Sequence, residues 1–181
     1  MTNVITEVAL DELITENYKE LIIEDAGMSE RYLILSKVLA ALRAITVANG
    51  YMTDVAYVSD VLELKHPEEL DKNKFPACFA SDGDETKESA SIGSSDDNML
   101  SVFIIEITSM VYDHYGETAE ARSNLIRDVE KVIVTDTELR ALLLERPSPI
   151  RVETDRGYFG KYSVFLQEFE LQYLYNHAVG G

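Results

Sequence analysis

Carboxylate and imidazole side chains are where chemistry would have to start in this chain. Glu106, Glu153, Asp155 and His114 would supply a general acid–base pair or a metal-ligand set if folding brought them into one pocket, since both tasks need such groups within hydrogen-bond reach of each other. That convergence would make the protein a small metal-dependent hydrolase. A second group, Asp82, Asp84 and Glu85, offers the oxygens a hard cation takes. Its single intervening glycine is not followed by the alternating ligands and closing Glu of a calcium loop. His66, His114 and His177 are far apart, and none has a second His or Cys three or four residues away. Phosphate-cradling glycine loops, H-E-x-x-H, G-x-S-x-G and C-x-x-C are all missing. The expectation is therefore no catalytic residue, no metal and no cofactor, with Glu106, Glu153 and Asp155 as strand carboxylates facing solvent or another subunit. Cys78, the one cysteine, lies between Ala77 and Phe79 and reads as a small buried hydrophobe.

The basic residues are informative by position. Eight of the 16 lie between Arg122 and Lys161, and Arg122, Arg127 and Lys131 share one helical stretch. Most of the 33 acidic residues precede residue 100, so an acidic front contrasts with a more balanced back. Such asymmetry suits subunits that meet by two different faces; ordinary helix surfaces with pairs three or four residues apart are the alternative.

The elements that would carry these groups follow from periodicity. Val8 to Ile23 has apolar residues at spacings of three and four, consistent with a short amphipathic helix with an acidic face. Ser29 caps the next helix, whose Leu35, Val38, Leu39, Leu42 and Ile45 face a core before Asn49 and Gly50 stop it. Thr53 to Leu64, rich in Val and Tyr, suits a strand, and Pro76 opens a short strand over Ala77 to Ser81. Asp82 to Asn98, with Asp82, Asp84, Glu85, Glu88, Asp96 and Asp97 among Ser and Gly, reads as a loop. Ser101 to Tyr112 is apolar in both alternating sets, which predicts a central strand covered on both faces. Helices are expected from Thr118 to Val134 and, capped by Asp136, from Thr137 to Leu144. The strands Ile150 to Arg156 and Tyr162 to Tyr175 close the chain, joined by a hairpin at Gly157 and Gly160 with Tyr158 and Phe159 at its tip. This order predicts an α+β domain: a mainly antiparallel sheet of four to five strands packed by two to three helices. Residues 1–27 would form an added helical segment and residues 28–181 a single domain.

Composition bounds the rest. A length of 181 residues, 46% of them apolar, fits one globular domain. With 16 Lys plus Arg against 33 Asp plus Glu the net charge is −17, which repels nucleic acid and anionic membrane alike. The acidic amino terminus lacks the pattern of a secretory signal. No stretch approaches the roughly 20 apolar residues of a membrane-spanning helix. A cytoplasmic protein is expected.

Several phrases, taken in order, resemble the tail terminator proteins of long-tailed phages. They are the helix LILSKVLAALRAI leading to Asn49, Gly50, Tyr51, Thr53, Asp54 and Val55; the element Phe75, Pro76, Ala77, Cys78, Phe79 before an acidic loop; and the strand SVFIIEITSMVY before the helix EARSNLIRDVEKVI and Thr135 to Leu139. The closing strands VETD and SVFLQEFELQYLY complete the order over roughly residues 28 to 176. The resemblance implies a structural protein of the virion tail or neck, built in the host cytoplasm. Six copies would form a ring that docks on the tail-tube protein, stops its polymerisation and meets a head-completion or connector protein, with DNA only passing through the lumen. A head-to-tail adaptor or other tail-completion protein fits the same phrases. Candidate interface residues are Asp82, Asp84, Glu85, Asp96, Asp97, Arg122, Arg127, Lys131, Tyr158 and Phe159. This reading requires the acidic segment from Asp82 to Asp97 to be exposed.

Overall fold

The computed structural model describes residues 29–62, 66–89, 98–113, 118–155 and 159–176. In chain order these form α1 (Glu30–Arg43), β1 (Tyr57–Ser59), β2 (Ala77–Ser89), β3 (Asn98–Tyr112), α2 (Thr118–Thr135), α3 (Thr137–Ala141), β4 (Ser148–Thr154) and β5 (Tyr162–Asn176), with three short 3-10 turns between α1 and β2. The sheet order is β1-β2-β3-β5-β4. Every pairing is antiparallel except β1 with β2, so the domain is α+β. The expected amino-terminal helix lies outside the described residues.

α1 forms where the spacing predicts. The Ser29 hydroxyl accepts the Tyr32 amide, and Leu35, Val38, Leu39, Leu42 and Ile45 are all buried, which gives the helix its inward stripe. The helix itself ends at Arg43, and Gly50, with φ of 82°, closes a separate 3-10 turn over Val47–Asn49. In α2, Leu125, Val129, Val132 and Ile133 pack into the same core, and the Asp136 side chain accepts the Leu139 amide to start α3.

β3 is central, as its composition predicts, lying between β2 and β5. Its two faces differ. Phe103, Ile105, Ile107 and Val111 are buried under the helices, and β5 matches them with Phe165, Phe169, Leu171 and Tyr173. On the other face Val102, Ile104, Glu106 and Thr108 stay half-exposed, and only one end is covered, where Leu70, Ala77, Phe79 and Met110 form a small second core. The expectation of cover on both faces is corrected accordingly.

Two further expectations change. Among the described residues of the segment Thr53 to Leu64, Tyr57–Ser59 alone is strand. The segment expected to be a loop from Asp82 continues β2 as far as Ser89, paired with β3 across an irregularity between Asp82 and Glu85. A bulge at that point lets the acidic stretch keep its pairing. At Gly83 an added Cβ would lie 3.3 Å from the Ile104 carbonyl oxygen and from Glu106 Oε1, so the glycine permits close approach of β2 to β3.

Candidate functional site

Asp82, opposite Ile105, and beyond the bulge Glu85, opposite Phe103, both lie on the helical side of the sheet, where Arg31 from the first turn of α1 meets them. Arg31 Nε stands 2.6 Å from Asp82 Oδ2, its Nη1 donates to Glu85 Oε2 at 3.0 Å, and its Nη2 donates to the Gly83 carbonyl at 2.8 Å. The guanidinium carbon lies 5.3 Å from the centre of the Phe103 ring, a cation–π distance. Glu85 Oε1 in turn accepts from Tyr173 Oη at 2.7 Å and from the Ser101 hydroxyl. One side chain of α1 thereby ties to β2, β3 and β5.

Electrostatics follows burial and partners. Desolvation alone would raise the Glu85 pKa; the bonds from Ser101 and Tyr173 and the charges of Lys87 and Arg31 outweigh it and hold the carboxyl below its ordinary value. Burial, the hydrogen bond to Glu85 and the surrounding carboxylates push the Tyr173 phenol well up. Burial also raises Glu30, against the pull of Lys87, and Glu30 Oε2 finds no hydrogen-bond partner among the described residues. The Cys78 thiol, fully buried, is pushed up to about 12, and Ser109 Oγ donates to it at 3.4 Å. This cluster saturates its own carboxylate: Ser101 and Tyr173 both donate to Glu85 Oε1 while Arg31 holds Oε2. Its chemistry is that of an ion-paired fastening.

The other residues singled out in the sequence disperse. Asp82, Asp84 and Glu88 are exposed, and of the described acids in this segment the Glu85 side chain alone is largely covered, at 12% exposure. Asp96, Asp97 and Tyr158 lie outside the described residues, as do His114 and His177. Phe159 is exposed. Arg122 bonds Asp155 and Ser163. Lys131 donates to the Gly50 carbonyl at 3.0 Å and covers the Tyr51 ring, and Arg127 reaches the Met52 sulfur. Lys131 and Arg127 thus pin the turn after α1, and Arg122 fastens the β4–β5 end. Glu106 stands opposite Ser81 and Glu168, Glu153 bonds Arg151, and Asp155 bonds Arg122; the three carboxylates have separate partners. Among the described residues no group of three or more His, Cys, Asp or Glu is placed to hold a metal.

Arg31, Ser101 and Tyr173 escaped the sequence reading. For two of them a signal was present: Ser101 and Tyr173 are among the polar members of the alternating sets that hold Phe103, Ile105, Phe169 and Leu171, and a polar group at such a position needs a buried partner. No helix among the described residues is long and apolar enough to cross a membrane. No protein-family model matches the sequence, and no curated protein matches it either.

Proposed function

We propose that the chain is a non-enzymatic assembly protein of a phage tail or neck, a ring-forming tail terminator that caps the tail tube and offers its other side to a connector. The observation that carries this reading is the sheet face turned away from α1 and α2. Along β3 and β5 it presents Leu100, Val102, Ile104, Leu166 and Leu174 between Glu106, Glu168 and Glu170, all half-exposed. Antiparallel sheets tolerate one solvated face when that face is polar; one that mixes aliphatic rows with carboxylates suits a wet, specific protein contact. Support also comes from the order of elements, which keeps the helix, strand and closing-strand sequence of the terminators that the chain resembles. In this reading six copies close a ring through heterologous contacts, the outward sheet face meets the tube or the connector, and DNA only passes through.

The test is the mass of the full chain by light scattering, alone and with assembled tail-tube protein. A ring on the tubes, with tube length no longer growing, is the expected result. A chain that ignores tubes at every ratio ends the proposal, and binding to the connector ring alone would make it an adaptor instead.

A further inference from the structure

We propose that two copies of this chain pair edge to edge through β4, antiparallel, with Val152 opposite its own counterpart. β4 closes the sheet on one side, and all seven of its residues are exposed. Ile150 and Val152, at 50% and 41% exposure, stand out on it. A shallow hollow of about 480 Å³ runs along Arg151, Val152, Glu153 and Thr154. An edge in this state is a template for another strand.

The occupant follows from register and charge. The Asp155 amide donates to the Val164 carbonyl, and in an antiparallel ladder bonded and unbonded pairs alternate. Continuing along the register of Arg151 with Glu168, Val152 with Gln167 and Glu153 with Leu166, Arg151 and Glu153 bond β5 while Val152 and Thr154 turn their N–H and C=O groups outward. A second strand must therefore bond Val152 and Thr154. Centring a two-fold pair on Val152 satisfies this and sets Arg151 of each copy opposite Glu153 of the other. Centring it one residue earlier sets Arg151 against Arg151; one residue later, Glu153 against Glu153. Opposite charges across a strand pair stabilise and like charges destabilise, so only the Val152-centred register is favourable. A second copy of this chain is thus the partner whose charges fit.

The same strand limits the assembly. Pro149 and the irregularity between Pro149 and Arg151 end the usable edge, and the opposite side of the sheet is a broken edge, where β1 covers only Ala77–Phe79 of β2 and Arg31 takes the Gly83 carbonyl. Pairing through β4 consumes that edge in both copies, so this contact joins two chains and no more. This inference does not rest on the tail reading.

The experiment is sedimentation of the full chain over a wide concentration range, for the natural sequence, Arg151→Glu, Glu153→Arg and the double swap, with circular dichroism on each. Dimers are expected for the natural chain and the double swap. Each single swap creates two like-charge pairs and should weaken the dimer on the order of tenfold or more. Glu168, 3.6 Å from Arg151, bears equally on both chains that carry Glu at position 151. Val152→Pro removes an amide that β5 does not use and should give a folded monomer. A natural chain that is monomeric throughout, single swaps that dimerise like it, a double swap no better than the singles, or a mass that grows beyond two would each overturn the pairing.

Discussion

Glu30 and Glu85 titrate in opposite senses, and stability should record both. Glu85 is held below its ordinary value of 4.5, so its contribution is complete above that pH and is lost as pH falls through the lower folded value. Glu30 is raised above 4.5; charging it costs the fold, and its favourable contribution, full below 4.5, is lost as pH rises through the folded value. Glu30→Gln is therefore expected to raise the melting temperature at neutral pH, with the gain fading below pH 4.5. Thermal melts across that range check it, and a variant equally stable or weaker at pH 7 would refute the sign. Arg31→Ala leaves the half-buried Glu85 with Lys87 as its remaining cation and should cost about 1 to 2 kcal/mol, read by urea unfolding. Cys78, with its thiol pushed up to about 12, should resist alkylation at neutral pH until the chain unfolds.

Among the elements, caps and core stripes were legible because they are local. Ser29 and Asp136 cap where expected, and removing the Asp136 side chain, which accepts the Leu139 amide at 2.8 Å, should cost about 1 kcal/mol in thermal or urea unfolding. β2 was misread because its evidence is distant. Asp82, Gly83, Asp84 and Glu85 have the composition of a loop, and what lets them run as strand is a bulge together with Arg31, more than 50 residues away in sequence. The short strand β1 was overextended because Val and Tyr favour pleated surfaces wherever they fall, while only Tyr57–Ser59 reaches β2. On the outward face Glu106 stands directly opposite Glu168. Glu106→Gln relieves that like-charge pair and should stabilise the free chain by about 0.5 kcal/mol in urea unfolding.

At the scale of the molecule, periodicity revealed one half of the architecture, the helices packed on a sheet, and misjudged the other, the face of β3 that was expected to be covered and is half-exposed. The alternating sets in β3 and β5 do not say which face the helices take or what lies on the other. The candidate site was less legible still: Asp82 and Glu85 were chosen as partner-facing acids, and both pair with Arg31 of the same chain, Asp82 at the surface and Glu85 largely covered. A two-fold pair has identical ends, whereas a ring between tube and connector needs two different ones. If both proposals hold, the pair is the free form and capping must open it, so the single swaps at Arg151 or Glu153 should cap tubes at lower concentration than the natural chain. Capping measured against concentration decides this.

Arg31 stands one residue inside α1 and grips three points of β2 through one guanidinium. A pull arriving along the chain ahead of Ser29 therefore meets the sheet through that side chain before it reaches the apolar stripe of the helix. Because the three attachments share one planar group, tension loads them together rather than in succession. The clamp then behaves as a mechanical fuse, holding while all three share the load and letting go as a unit.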